Sequence, residues 1–212
     1  MMKTSPFVIT ISRQLGSGGA FVGQQLAKQL GIFYADREII SQAAKQLVVL
    51  EEDLQSREEK VNSFWQNFLQ LYICCSPDGY IPPQGIFPND NELFKVESEI
   101  IKHIAAERSA VIIGRCASYI LHKHPKHVSI FLHGNIESRT RRVQELYKVS
   151  DSCARNMIYK SDSQRAHYHH FFTGKVWTDA NQYDLSIDTS KIGLDKTVEL
   201  ILKYLESNID IK

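Results

Sequence analysis

Residues 7–31, FVITISRQLGSGGAFVGQQLAKQLG, pass from an apolar run through clustered glycines into an amphipathic pattern. No other stretch of the chain restricts the possible folds as much. Phe7, Val8, Ile9, Thr10 and Ile11 favour a short buried strand. Gly16, Ser17, Gly18 and Gly19 let the backbone turn with positive φ and come close to a ligand. Val22, Leu26, Ala27 and Leu30 recur at helical spacing, and Gly31 stands where a helix C-cap would. Free N–H groups at the start of such a helix, together with its dipole, favour a phosphate. The stretch is either an anion cradle or a tight strand-to-helix turn that binds nothing.

The phosphate-loop pattern G-x-x-x-x-G-K-[S/T] sets a lysine against the β- and γ-phosphates and a hydroxyl on Mg²⁺. Aligned on the strand end, Arg13 stands at the first glycine and Gly18 at the second. Gly19 then takes the lysine position and Ala20 the hydroxyl position. Lys28 lies too far into the helix to substitute, which leaves Arg13 as the nearest cation for the phosphates.

A chain of 212 residues fits one α/β domain, here residues 1–212, with room for a small appendage. Hydrophobic content of 43% and charged content of 23% are ordinary for a globular protein. A net charge of +1 argues against a general polyanion binder, so no nucleic-acid partner is expected. A nucleic-acid reading would use the basic helix at 138–148 with Tyr168, Phe171 and Phe172 as stacking platforms. Cys74, Cys75, Cys116 and Cys153 form no C-x-x-C pair, which suggests reduced thiols. The N-terminus has no apolar signal core and no run is long enough to cross a bilayer, so a cytoplasmic location is expected.

Strand and helix patterns alternate along the chain. A short strand at 32–34 leads into a helix that Asp36 would cap, with Ile39, Ile40, Ala43, Ala44 and Leu47 on its apolar face. Residues 51–97 read as a helical and irregular insertion, charged over 51–60 and rich in aromatics, Pro and Gly over 61–90. The 61–90 aromatics would cover a substrate, form a homodimer contact, or pack as a satellite cluster on their own domain. Residues 92–108 fit a long amphipathic helix, 110–114 a strand covered on both faces, 117–122 a helix and 128–134 a further strand. A basic helix, one or two more helices within 148–178, a last strand in YDLSIDTS and a closing helix complete the chain. This alternation predicts a three-layer α/β/α domain around a parallel sheet of about five strands.

In such a sheet the ligand crevice lies beyond the carboxyl ends of the strands. The first strand ends in the glycine loop, the second at Asp36-Arg37 and the third at Gly114-Arg115. Arg139, Arg141 and Arg142 follow the fourth, and Asp162 and Arg165 stand one helical turn apart downstream. Arginines converging on a glycine loop suit phosphoryl transfer, in which charge spreads over the oxygens of the moving group. Each has a plainer alternative. The helix arginines would form a wet face paired with Glu137 and Glu145, the better reading for Arg141, and Asp162 with Arg165 would be an intrahelical ion pair. His167, His169 and His170 lack a metal-ligand pattern, and no Ser-His-Asp set is evident.

Together ITISRQLGSGG, VGQQLAKQLG, YADREII, VIIGRCASYIL, SRTRRV, DSQRAHYHHFFTGKVW and YDLSIDTS resemble the cytidylate kinase-like family over nearly the whole chain. The resemblance implies a P-loop nucleoside monophosphate kinase fold, with MgATP over the glycine loop and a helical lid at 148–178. It implies ATP binding by Arg13, Gly16, Ser17, Gly18, Gly19, Ala20 and Arg139. It places Asp36, Arg115 and Arg165 on a small phosphate-bearing acceptor such as CMP, and Arg13, Arg142, Arg165 and Asp162 around the transferring group. True cytidylate kinases carry a lysine in the loop and Gly-Arg-Asp after the third strand. Here Gly19 and Cys116 depart from that pattern. The implied activity is ATP-dependent phosphoryl transfer; the alternative is a regulatory nucleotide-binding module without catalysis.

Overall fold

The computed structural model describes residues 6–36, 39–40, 44 and 90–208. Its centre is a parallel five-stranded sheet in the order β2-β3-β1-β4-β5. The strands are β1 (Val8–Arg13), β2 (Phe33–Ala35), β3 (Ala110–Ile113), β4 (His127–His133) and β5 (Leu185–Asp188). The three-layer parallel architecture expected from the sequence is present. β1 is flanked on both sides and buried throughout except at Arg13, which is half-exposed at its carboxyl end.

Alternation along the strands sends side chains into two cores. Val8, Ala110 and Ile112 pack on one face against Ile100, Ile101 and Ile104 of α2 (Asp90–Glu107) and Ala117 of α3 (Ala117–Ile120). Ile9, Ile11, Val111 and Ile113 pack on the other, against Val22 and Leu26 of α1 (Gly19–Leu30). Val198, Ile201 and Leu205 of α7 (Leu194–Asn208), which follows the short α6 (Thr189–Ile192), join that second core. Burying so many large aliphatic side chains, each worth about 1.5–3 kcal/mol, is what holds the sheet as a rigid platform.

Local chemistry sets the helix ends. Gly31 ends α1 in the left-handed conformation (φ 63°), as its position suggested. The Asp36 carboxylate accepts the Ile39 N–H (3.1 Å), the N-cap geometry anticipated for the helix that follows β2. The third helix is shorter than the 117–122 expected, because Leu121 already leaves helical geometry (ψ 12°).

Two further helices run from β4 to the far side of the site. Asn135 caps α4 (Ile136–Tyr147), and Ser150 caps α5 (Asp151–Thr173). The sequence left one or two helices open within 148–178; α5 is a single helix of 23 residues. Leu15, Val143, Ala154 and Ile158 form a small core that seats α4 and α5 beside the glycine loop. Arg37, Cys74, Cys75 and the aromatic segment 61–89, with its dimer reading, lie outside the described residues. Of the insertion read over 51–97, only 90–97 is described, and it belongs to α2. Among the described residues no helix is long and apolar enough to cross a membrane.

Candidate functional site

The glycine loop joins β1 to α1 through two left-handed glycines, Gly16 (φ 80°) and Gly18 (φ 79°). Gly16 is also closed to a side chain by neighbouring backbone. A Cβ on Gly16 would lie 2.6 Å from the Arg139 carbonyl oxygen. On Gly18 it would meet only the movable ends of Leu194 and Arg142, so it is the left-handed backbone that calls for glycine there. Among the described residues no side chain caps α1, which leaves the first-turn N–H groups of Gly19, Ala20 and Phe21 as donors for something else. This is the geometry in which helix N-termini bind anions.

Ser17 is placed differently from its sequence reading. Its hydroxyl donates to the Gln14 carbonyl (2.9 Å), its own N–H points to the same oxygen (3.3 Å), and it is fully buried. Thr189 Oγ1 donates to the Ser17 carbonyl (2.9 Å), and Gln14 Oε1 accepts the Gly134 N–H (3.2 Å). Ser17 therefore braces the loop from inside, because a tight bend has to satisfy its own buried polar groups.

Arg13 lies in a channel made by two glycines. A Cβ on Gly19 would sit 2.7 Å from Arg13 Cβ and Cγ, so the arginine stem crosses the start of α1. A Cβ on Gly114 would run into Arg13 Nη1, so the guanidinium reaches the carboxyl end of β3. Tyr34 beside it feels both Asp36 and Arg13; burial and Asp36 push its hydroxyl up, and Arg13 opposes them. One cation thus spans the gap between the loop and the ends of β2 and β3.

Asp162 joins α5 to the loop. Its carboxylate accepts the Leu15 N–H (2.9 Å) and pairs with Arg139 (2.5 Å) and, at longer range, Arg165 (3.5 Å). Arg139, 8% exposed, also donates to the Leu15 carbonyl (3.2 Å). Arg142 Nη1 donates to the Gly16 carbonyl (3.3 Å). Burial lowers the Arg142 pKa, and Glu145 works against it. Arg141 is exposed, in line with the wet-face reading.

Arg115 stands at the third strand end in left-handed geometry (φ 53°), as does Cys116 (φ 53°). Such backbone costs about 1–3 kcal/mol per non-glycine residue and concentrates at functional sites. Arg115 pairs with Glu97 of α2 (3.0 Å) and donates to the Tyr168 hydroxyl of α5 (3.2 Å). Tyr168 in turn donates to the other Glu97 oxygen (3.3 Å). Glu97 is 1% exposed.

The structure therefore gathers Arg13, Gly16, Gly18, Gly19, Ala20, Arg139, Arg142, Asp162 and Arg165 around the loop. Asp36 and Arg115 stand at the adjoining strand ends. Sequence reading passed over Glu97, Thr189 and Leu194, and took Tyr168 only as a stacking platform for nucleic acid. Glu97 had a signal: it precedes Ile100, Ile101 and Ile104 by three, four and seven residues, which puts a carboxylate on the core face of a helix.

The cytidylate kinase-like family matches residues 8–191. The cytidylate kinase of Saccharolobus islandicus (strain L.S.2.15 / Lassen #1) is 29% identical over 114 residues, 53% of this chain and 59% of that protein. The chain thus spans little more than half the length of the curated relatives it matches. An uncharacterized protein from Eubacterium ventriosum ATCC 27560 has a crystal structure that superimposes with a TM-score of 0.72 at 27% identity. That likeness covers 95% of this chain and 99% of the other. A gluconokinase from Sinorhizobium meliloti 1021 shares the fold alone, at a TM-score of 0.50 and 12% identity over 97% of each chain. On the match across 8–191, this chain belongs to the cytidylate kinase-like family.

Proposed function

We propose that the chain is an ATP-dependent kinase that moves the γ-phosphoryl group to a small phosphate-bearing acceptor, CMP or a relative of it. The observation that carries this reading is the uncapped start of α1 beneath a loop that bends through two left-handed glycines, with the Arg13 stem laid across Gly19. The N–H groups of Gly18, Gly19, Ala20 and Phe21 would hold the β-phosphate. Arg13 would take the charge that a loop lysine carries elsewhere, at the join between donor and acceptor. Arg142 and Arg165 would steady the transferring group, while Arg139 and Asp162 hold the loop and α5 together. Arg115 and Asp36 would face the acceptor.

An acceptor phosphate oxygen attacks the γ-phosphorus as the bond to the ADP oxygen breaks. That oxygen is already anionic, so no strong base is needed, and the work falls to positioning and fixed cations. Mg²⁺ would arrive with ATP, held by phosphate oxygens and water. Ala20 offers it no ligand, and among the described residues no cluster of His, Cys, Asp or Glu suits a metal.

Glycine and alanine at the lysine and hydroxyl positions favour a second reading, a module that closes around ATP without turnover. Thermal-shift titration with ATP, followed by ADP release measured across the nucleoside monophosphates, separates the two. Acceptor-dependent ADP that falls about 10²–10³-fold in Arg13→Ala supports the kinase. Tight ATP binding with no acceptor-dependent ADP supports the module.

A further inference from the structure

Glu97 and Arg115 pose a question that folding alone does not answer. A buried ion pair rarely improves on a well-packed apolar pair, because both charges must leave water. Here the pair also sits on backbone held in left-handed geometry at Arg115 and Cys116. Three separate elements meet at it: α2 supplies Glu97, the turn after β3 supplies Arg115, and α5 supplies Tyr168. The Tyr168 hydroxyl touches both charged partners, and its ring lies 5.5 Å from the guanidinium carbon. An arginine gripped from two sides has its planar fork fixed in direction.

The same helix touches the glycine loop. Asp162, which accepts the Leu15 N–H, precedes Tyr168 by six residues, a rise of about 9 Å along the helix. Stacking of Phe94 on Phe172 (4.1 Å, 14°) adds a second, apolar contact between α2 and α5 beyond Tyr168. One continuous helix therefore carries a contact to the donor loop at one point and a contact to Arg115 at another.

We propose that Glu97 and Tyr168 are positioning residues for Arg115, and that through α5 they make its orientation depend on nucleotide in the glycine loop. The inference rests on the reading that the loop holds a nucleotide. Nucleotide that tightens the loop would tighten the Leu15–Asp162 contact, seat α5 and hold the Tyr168 hydroxyl on Arg115. The acceptor arginine is then set only when a donor is in place, so the acceptor is held firmly after the donor has bound.

Hydrogen–deuterium exchange of the full chain with AMP-PNP as the only ligand tests this, whatever the acceptor. In the wild type, AMP-PNP should slow exchange in the loop at 14–22 and, several-fold, in the turn at 114–117. Tyr168→Phe keeps the ring contacts and removes only the shared hydroxyl. It should leave the 14–22 protection intact and abolish the 114–117 response, and Glu97→Gln should do the same through the other partner. Protection confined to 14–22 in the wild type, or an unchanged 114–117 response in both variants, would overturn the coupling. Absence of protection at 14–22 would instead overturn the nucleotide reading beneath it.

Discussion

Arg13 crosses Gly19 so closely that a single added carbon on the glycine would stand 2.7 Å from the arginine's Cβ and Cγ. The position that ordinarily carries the loop lysine is thus closed by another cation's stem. The two residues are complementary, with charge moved from one to the other and volume removed to match. Gly19→Lys alone should therefore displace Arg13, destabilise the protein by about 1–3 kcal/mol and weaken ATP binding. Combining it with Arg13→Gly should restore both. Denaturant titration with calorimetric ATP binding on the single and double variants checks this; equal losses in both would refute the exchange.

Gly114→Ala reports on the same channel from its other end. The new methyl would run into Arg13 Nη1, on backbone whose φ of 76° already disfavours a side chain. Turnover should fall at least about tenfold, or about 1.4 kcal/mol of lost transition-state stabilisation. Melting temperature and ADP release together separate this local effect from unfolding.

Asp162→Asn keeps an oxygen for the Leu15 N–H but removes the charge that balances Arg139. With those side chains only 17% and 10% exposed, leaving the arginine uncompensated should cost about 3 kcal/mol. Urea unfolding curves measure it directly. A loss below about 0.5 kcal/mol would mean that the pair behaves as an exposed surface contact.

His127 gives the fold a pH dependence. Burial lowers its pKa to about 4; Asp184 opposes the shift, while His124 and His122 add to it. Its Nε2 lies 2.8 Å from Thr10 Oγ1. Because the folded value lies below the unfolded one, the unfolded chain takes the proton first. Stability should hold above about pH 6.5 and fall as pH drops toward 4, by at most about 3 kcal/mol. In His127→Asn that part of the slope should vanish from stability curves recorded across the range.

Thiol labelling should divide sharply. Burial pushes the Cys116 thiol up to about 12, against the pull of Arg115. Cys153 is free and exposed. Iodoacetamide at neutral pH should modify Cys153 within minutes and leave Cys116 unmodified until the protein unfolds, as peptide mass mapping would show.

Periodicity made most of the scaffold readable. Apolar runs marked β1, β3 and β4, the one in β3 unbroken, because strands covered on both faces have little polar side to show. Asp36 and Gly31 were legible because caps depend on neighbours a few residues away. The glycine loop was legible as a cradle, but the inward turn of Ser17 was not, since its partners Gln14 and Thr189 meet only in the folded bend. The left-handed geometry of Arg115 and Cys116 left no trace in composition. The link from Arg115 to Tyr168 spans 53 residues, and its partners come together only when α5 lies across the site.

A crystal structure with AMP-PNP and Mg²⁺ tests most directly whether main-chain amides and Arg13 hold a polyphosphate. The expected result is a β-phosphate on the N–H groups of residues 18–21 and a γ-phosphate within hydrogen-bond reach of the Arg13 guanidinium. A nucleotide bound away from that loop, or a γ-phosphate that Arg13 does not approach, would contradict it.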